Sequence, residues 1–213
     1  MRSLAFLLLT FILSLSLFGK TTLSFRERKK QFDQKIGLVF DVRETLSLSE
    51  ESDRNSLSTV RSEVEEAYRV GERIRMEKAL SLAEGELFAT SRKLCIDLDE
   101  KTQEIYEKAQ GSFLLIESEE KASGKKMEWD TREKIQRYLI MAKSEKDHAK
   151  EFFISGNYHM SLHTYKRSIM YSLLSFLSHG KEIPEGYQTA ANAWAEPVWQ
   201  TGHKTKPQSI REN

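Results

Sequence analysis

Apolar residues along this chain recur at helical spacing, and almost nowhere do they alternate in the two-residue rhythm of a strand. From Phe25 to Leu48 the positions Phe25, Phe32, Ile36, Val39 and Leu46 step by sevens, fours and threes onto one stripe, with Ser24 placed to cap the helix they predict. Ser47 to Ser58 is polar, serine-rich and without apolar period, so it reads as a connection, with a second helix starting near Ser56 to Ser58. Val60, Val64, Ala67, Gly71 and Ile74 then keep heptad spacing on small residues, which would admit a neighbouring helix closely. The seam weakens at Lys78 and resumes with Leu87, Ser91, Leu94, Leu98, Ile105, Ala109 and Ile116. The pattern leaves open whether Ser58 to Lys121 is one helix or two. Unbroken, it would be about 95 Å long at 1.5 Å per residue. A turn at Ala122–Lys126 precedes a helix from about Asp130 to Ser155, lined by Ile135, Leu139, Ala142, Ala149, Phe152 and Phe153. Gly156-Asn157 ends it, and a last helix from Tyr158 to Leu177 completes an antiparallel hairpin, its inner face carrying Tyr158, Leu162, Tyr165, Ile169 and Leu173.

These elements predict an all-α fold of long heptad-like helices packed with a C-terminal hairpin. They divide the chain into residues 1–19, a helical domain over 20–180 and an irregular, partly disordered tail over 181–213. Composition agrees, since the prolines Pro184, Pro197 and Pro207 all fall in the tail.

The first residues change the picture from a helical protein to an exported one. Arg2 precedes an uncharged apolar run from Leu4 to Phe18, then Gly19-Lys20, which is the layout of a secretory signal and short for a ~20-residue membrane span. Small residues favour cleavage after Ser16 or, second, after Gly19, which places the mature chain in the periplasm or outside the cell. Retention of the run as an anchor, with the helices presented to the periplasm, is the alternative. Lys and Arg number 33 against 32 Asp and Glu, so loss of Arg2 leaves the two balanced. Nucleic-acid binding is disfavoured by that neutrality, and the densest basic stretch, Arg26 to Lys30, reads as a solvated helical face, with a lipid contact at an inner membrane surface as its one other reading. Cys95 is the sole cysteine. It permits no internal disulfide, is too far from the signal to carry a lipid, and reads as a small buried hydrophobe.

The run Ala149, Phe152, Gly156-Asn157-Tyr158, Ser161, Tyr165 and Ser168 resembles a tetratricopeptide repeat over about residues 142–175. Ala149 stands at the small position of the first helix, Phe152 at its aromatic position, and Gly156 and Tyr158 at the turn. Ser161 and Ser168 stand where the family has alanine, with Tyr165 at the aromatic site between them. The chain departs from the pattern at His148, where leucine is usual, at Glu145, where tryptophan is common, and near Leu173, where no proline closes the unit. The resemblance implies protein binding or scaffolding, and a lone unit needs flanking helices to bury its faces.

No catalytic, cofactor or metal residues are assigned. The chain has no Gly-rich phosphate loop, no Gly-x-Ser-x-Gly elbow and no His-Glu-x-x-His. Glu145 and His148 have the Glu-x-x-His spacing of di-iron bundles, but no second such pair exists. His159 and His163, four apart, could share an ion on one face, yet no carboxylate or cysteine nearby in sequence completes a site. Trp194 and Trp199 in the tail either pack on the helices or contact a partner.

The expected function is therefore that of a non-enzymatic protein-binding or structural scaffold in the periplasm or envelope, with a protein or a second copy of itself as partner. In broad character, though not in matched residues, the chain is similar to the helical sheath proteins of spirochaete periplasmic flagella, so a filament-like assembly is one alternative. A small-molecule binder or enzyme is the other, its pocket lying between hairpin and tail with Trp194 or His148 in the wall.

Overall fold

The computed structural model describes residues 23–48 and 51–204. The signal-like run, its cleavage positions and residues 205–213 lie outside the described residues. Within them the chain is all-α, without a strand. Its elements are α1 (Phe25–Thr45), α2 (Glu51–Val70), α3 (Arg73–Ser123), α4 (Trp129–Ile154) and α5 (Tyr158–His179), followed by the short α6 (Gln188–Ala190), a π-helical turn (Ala191–Ala195) and α7 (Glu196–Lys204).

Local chemistry fixes the helix ends. Ser24 and Glu27 form a reciprocal capping box at the start of α1, each side chain bonding the other's backbone N–H, so two otherwise orphaned donors are satisfied. Phe32, Ile36, Val39 and Val42 of α1 are buried, as is Leu46 just past its end.

The second helix starts earlier than its composition suggests, at Glu51 rather than near Ser56 to Ser58. Leu57 is the reason, because it is fully buried and turns this polar stretch into an amphipathic face. The hydroxyls find partners without leaving the helix: Thr59 donates to the Asn55 carbonyl at 2.8 Å and Ser62 to Ser58 at 3.0 Å, while Ser56 reaches Glu86 of α3 at 2.6 Å. A serine-rich segment is here a solvated helix face rather than a loop.

The long heptad pattern breaks once, at Gly71, and runs through Gly85. Gly71 has φ +78°, a left-handed conformation that glycine adopts without the steric penalty of a Cβ, and it folds α2 back along α3 as an antiparallel hairpin. Val64 and Ala67 line that hairpin, whereas Gly71 and Ile74, expected in the seam, lie exposed at its turn. Gly85 lies in helical backbone on the exposed side of α3. The resulting α3 has 51 residues and is about 76 Å long at 1.5 Å per residue. It is the spine of the molecule.

The last segment is the main departure from expectation. In place of an irregular tail from residue 181, helical structure spans Gln188 to Lys204, and Tyr187, Ala190, Ala191, Trp194 and Ala195 are buried. The period is present but carried by alanines, which weigh little in a hydropathy reading. Pro197 falls in the first turn of α7, where its missing N–H costs little. Tyr187 anchors the segment, its hydroxyl donating to the Lys101 carbonyl at 2.9 Å and lying 3.1 Å from the Glu104 carboxylate.

The helix most enclosed by the others is α5, which packs against α1, α3, α4 and the π turn. Hydroxyls supply much of its inner face. Ser161, Ser168, Ser172 and Ser175 are fully buried. Ser161 donates to the Ala149 carbonyl of α4 at 2.9 Å and Ser168 to that of Ala142 at 2.6 Å, so both of these buried hydroxyls are paired. Replacing Ser168 by Ala removes one hydrogen bond and is expected to cost about 1 kcal/mol. Ser168→Leu forces the two helices apart and is expected to cost about 2–3 kcal/mol. Urea denaturation of the two variants, read by circular dichroism, checks that order.

Candidate functional site

The α4–α5 hairpin turns tightly at Ser155, Gly156 and Asn157. Gly156 takes φ +76°, and the Gly156 and Asn157 N–H groups return to the carbonyls of Phe153 and Phe152 at 3.0 and 2.9 Å. Asn157 caps α5 by accepting from the Met160 N–H at 3.4 Å. Ala142 and Ala149 of α4 lie opposite Ser168 and Ser161 of α5, small against small, which lets the helix backbones approach until a hydroxyl bridges them. Tyr165 fills the space between the serines and is buried. Burial first, and the Asp99 carboxylate second, push its phenol well above the usual range. Phe152 is half-buried.

Tyr158 opens an apolar shelf at this end of the hairpin. Its ring lies 4.8 Å from that of Phe88 on α3 and 5.3 Å from that of Phe153, centroid to centroid. Phe88 itself is largely exposed, as are Ile154, next to Phe153 in the chain and 83% exposed, and Met160, two residues past Tyr158. Large apolar side chains clustered in this way mark an interaction surface more often than an isolated exposed leucine does. Phe88 was not foreseen, because the heptad reading put Leu87 inward and left Phe88 to chance on the outer face.

Beside the shelf, α1, α3 and the start of α5 enclose a cleft of about 170 Å³ whose wall includes Arg28, Lys35, Glu84, Phe88, Ser91 and His159. That is smaller than the ~300 Å³ at which drug-sized ligands begin to be enclosed. Arg28 is held there by Glu77 at 2.6 Å and Glu84 at 2.7 Å. Hydrogen bonding to Glu84 is the largest influence on its guanidinium, whose pKa is raised. His159 is half-buried, and its Nδ1 has no hydrogen-bond partner in the protein. Burial, then the charges of Lys35 and His163, lower its pKa.

The remaining sequence candidates do not converge on this site. Trp194 is buried with the Lys166 ammonium 4.9 Å above its ring, and Lys166 in turn pairs with Asp41 of α1 at 2.7 Å. It pins the π turn to α5 and α1 and has little surface left for a partner. Trp199 is half-buried against the core under Lys134, whose nitrogen is 5.2 Å from the ring. Glu145 pairs with Arg167 and His148 is exposed, so the Glu-x-x-His spacing gathers no site. Neither His148 nor Trp194 lines the cleft described above. Among the described residues no three His, Cys, Asp or Glu side chains come close enough to hold a metal ion.

Cys95 is buried under the start of α5, its thiol donating to the Tyr158 carbonyl at 3.5 Å. Burial pushes its pKa up to about 11 from an ordinary 9.0.

No protein-family model matches this chain, and none of the curated proteins or solved structures compared with it matches either. No helix among the described residues is long and apolar enough to cross a membrane.

Two measurements follow from these environments. That rise leaves on the order of 100-fold less thiolate than an exposed cysteine has near pH 8, so Cys95 should resist iodoacetamide in the native protein and react on unfolding in urea. Burial also lowers the pKa of His179, as it does that of His159, from the ordinary 6.5. In the unfolded chain both imidazoles take up protons near that value while the folded chain resists. Stability is therefore complete above pH 6.5 and falls as pH drops below it. Denaturation midpoints measured from about pH 7.5 down to about pH 5.5 should decline, and His159→Gln should flatten the decline.

Proposed function

We propose that this chain is an exported, non-enzymatic scaffold protein of the periplasm or cell envelope that holds a protein partner on the apolar shelf of its α4–α5 hairpin. The observation that carries this reading is the exposed Phe88 of α3 against Tyr158, with Ile154 and Met160 exposed on the adjoining turns of α4 and α5, two helices locked in register by the serine bridges. A rigid platform with apolar anchors suits a helix or peptide, because little freedom is lost when the partner settles. The tetratricopeptide-like pattern at Ala149, Phe152, Gly156, Tyr158, Ser161, Tyr165 and Ser168 belongs to the same reading. In it α1 and α3 act as the flanking helices that a lone unit requires. Export rests on the apolar run Leu4 to Phe18, removed after Ser16 or Gly19.

A second reading, assembly into a filament or sheath with copies of itself, is favoured by the 51-residue α3. Small-angle scattering with in-line light scattering on the mature chain separates the two. A monomer with a radius of gyration well above the ~16 Å of a compact chain of this size accords with the scaffold, and mass growth with concentration accords with self-assembly.

The partner surface is tested by a photo-crosslinking residue at Ile154 in the native host. A discrete adduct is expected, and Phe88→Glu should abolish it while leaving the far-ultraviolet spectrum unchanged. An adduct pattern identical in the Phe88→Glu chain would remove the shelf from consideration. Mass spectrometry of the native N-terminus should find Lys20 or Leu17 first, and a chain starting at Met1 would overturn cleavage.

A further inference from the structure

The end of the molecule where α1 begins and α2 turns into α3 carries a second exposed apolar group, remote in character from the hairpin shelf. Phe25 and Tyr68 stack with ring centroids 6.0 Å apart, which fixes the start of α1 beside the end of α2. Around them Leu23, Tyr68, Val70 and Ile74 point to solvent, with Ile74 79% and Val70 53% exposed. The Gly71 turn projects Val70 and Ile74 beyond the bundle, where neither packs on the core.

Charge at this tip is lopsided once its ion pairs are subtracted. Glu77 is held by Arg28, Glu65 by Lys29 and Glu66 by Arg75, and Glu27 is committed to the Ser24 cap. Arg26, Lys30, Arg69 and Arg73 are exposed and make no ion pair among the described residues, against Glu63 and Glu72 as the exposed acids of this end likewise without an ion pair. Two open hollows flank Tyr68, one walled by Arg26, Lys29 and Lys30 with Asp33, the other by Arg61 and Arg69 with Glu65 and Glu66; these acids are engaged by Lys29, Arg61 and Arg75. Apolar side chains ringed by unpaired arginines, with a tyrosine between, match the boundary of a bilayer, where alkyl groups enter the acyl region and cations meet headgroup phosphates.

The chain order supplies an independent argument. Leu23 sits on this tip, and the apolar run Leu4–Phe18 precedes it by only Gly19, Lys20, Thr21 and Thr22. Whichever way that run is processed, it favours the same neighbour. Cleavage leaves Lys20 and an α-amino group only a few positions before Leu23 in the chain, and retention of the run as an anchor would tie this end of the chain to a bilayer.

We infer that the α1-start and α2–α3 turn form a docking surface for an anionic lipid bilayer, with Val70 and Ile74 dipping into it and Arg26, Lys30, Arg69 and Arg73 binding phosphate headgroups. The α3 spine then stands away from the membrane, and the hairpin shelf is carried partway along it. This docking is independent of what the shelf binds.

The test uses the full chain with its native N-terminus, labelled with an environment-sensitive fluorophore at Glu72→Cys on the tip or at Ser123→Cys at the far end of α3. Cys95 is buried and stays unlabelled in the native protein. Vesicles of mixed phosphatidylglycerol and phosphatidylcholine should blue-shift the tip label and leave the far label unchanged, with a weaker effect from phosphatidylcholine alone. Arg69→Glu with Arg73→Glu should weaken the vesicle titration on the order of tenfold or more. Val70→Ser with Ile74→Ser should reduce the blue shift at saturating lipid, and both pairs are exposed enough to leave the fold intact. Four results would each overturn the inference: no shift at the tip, an equal shift at Ser123→Cys, a shift that neither double variant reduces, or a shift that grows with protein concentration without vesicles, which would assign the tip to a second copy of the chain.

Discussion

Ser161 and Ser168 reach from α5 to the carbonyls of Ala149 and Ala142 on α4, and the enclosure of α5 follows from that contact. A hydroxyl spans this gap only when both helices present small side chains at the crossing, so the bonds and the close approach require each other. Close approach lets α3 and α1 also reach α5, and the helix becomes the centre of the bundle rather than one face of it. Serine in such a place has a conformational cost as well as a benefit. Its oxygen would compete with the backbone if unpaired, but here Ser172 and Ser175 donate to the Ser168 and Ser172 carbonyls one turn back.

Around this polar-lined centre the ordinary apolar core is continuous. Ile36 and Val39 of α1, Leu94, Leu98 and Ile105 of α3, and Ile169, Leu173 and Leu174 of α5 share one cluster with Tyr187 and Trp194 from the C-terminal helices. The ion pairs lie mostly on the outside. Bonds such as Lys166 to Asp41 and Lys150 to Asp99 join neighbouring helices but are partly solvated. At about 0–1 kcal/mol each they set orientation more than stability.

How much of this was legible in the sequence depends on what the period is made of. Where leucine, isoleucine and phenylalanine carry it, as in α1, α4 and α5, the helices and their buried stripes read off directly. Where alanine carries it, as from Tyr187 to Ala195, the same 3.6-residue rhythm is present but nearly silent, since alanine is tolerated both in cores and on surfaces. Leu57 was lost for a related reason, being a lone apolar residue in a run of serines whose hydroxyls are satisfied locally. Gly71 and Gly85, two of the three glycines of the long helical region, could not be ranked by identity, because the left-handed turn at Gly71 depends on which neighbours can fold back. Val64 and Ala67 supply that face, and Gly85 has no such partner turn. The shelf at Tyr158 was half visible, through its own ring and Phe153. Its third ring, Phe88, comes from a distant stretch that only the fold brings near.

The unbroken α3 has a consequence apart from packing. A helix rises by a fixed step, so its two ends are held at a separation set by residue number and hardly altered by side-chain substitution. The Gly71 turn at one end and the exposed Trp129, just past the other, are thus kept apart by one covalent strut. Insertion or deletion of residues in the stretch between Phe113 and Ser123, where Arg132 of α4 pairs with Glu117 and Glu120, would lengthen or shorten that strut and rotate one end against the other by 100° per residue. The molecule is in this sense a gauge, and the natural length of α3 is its setting.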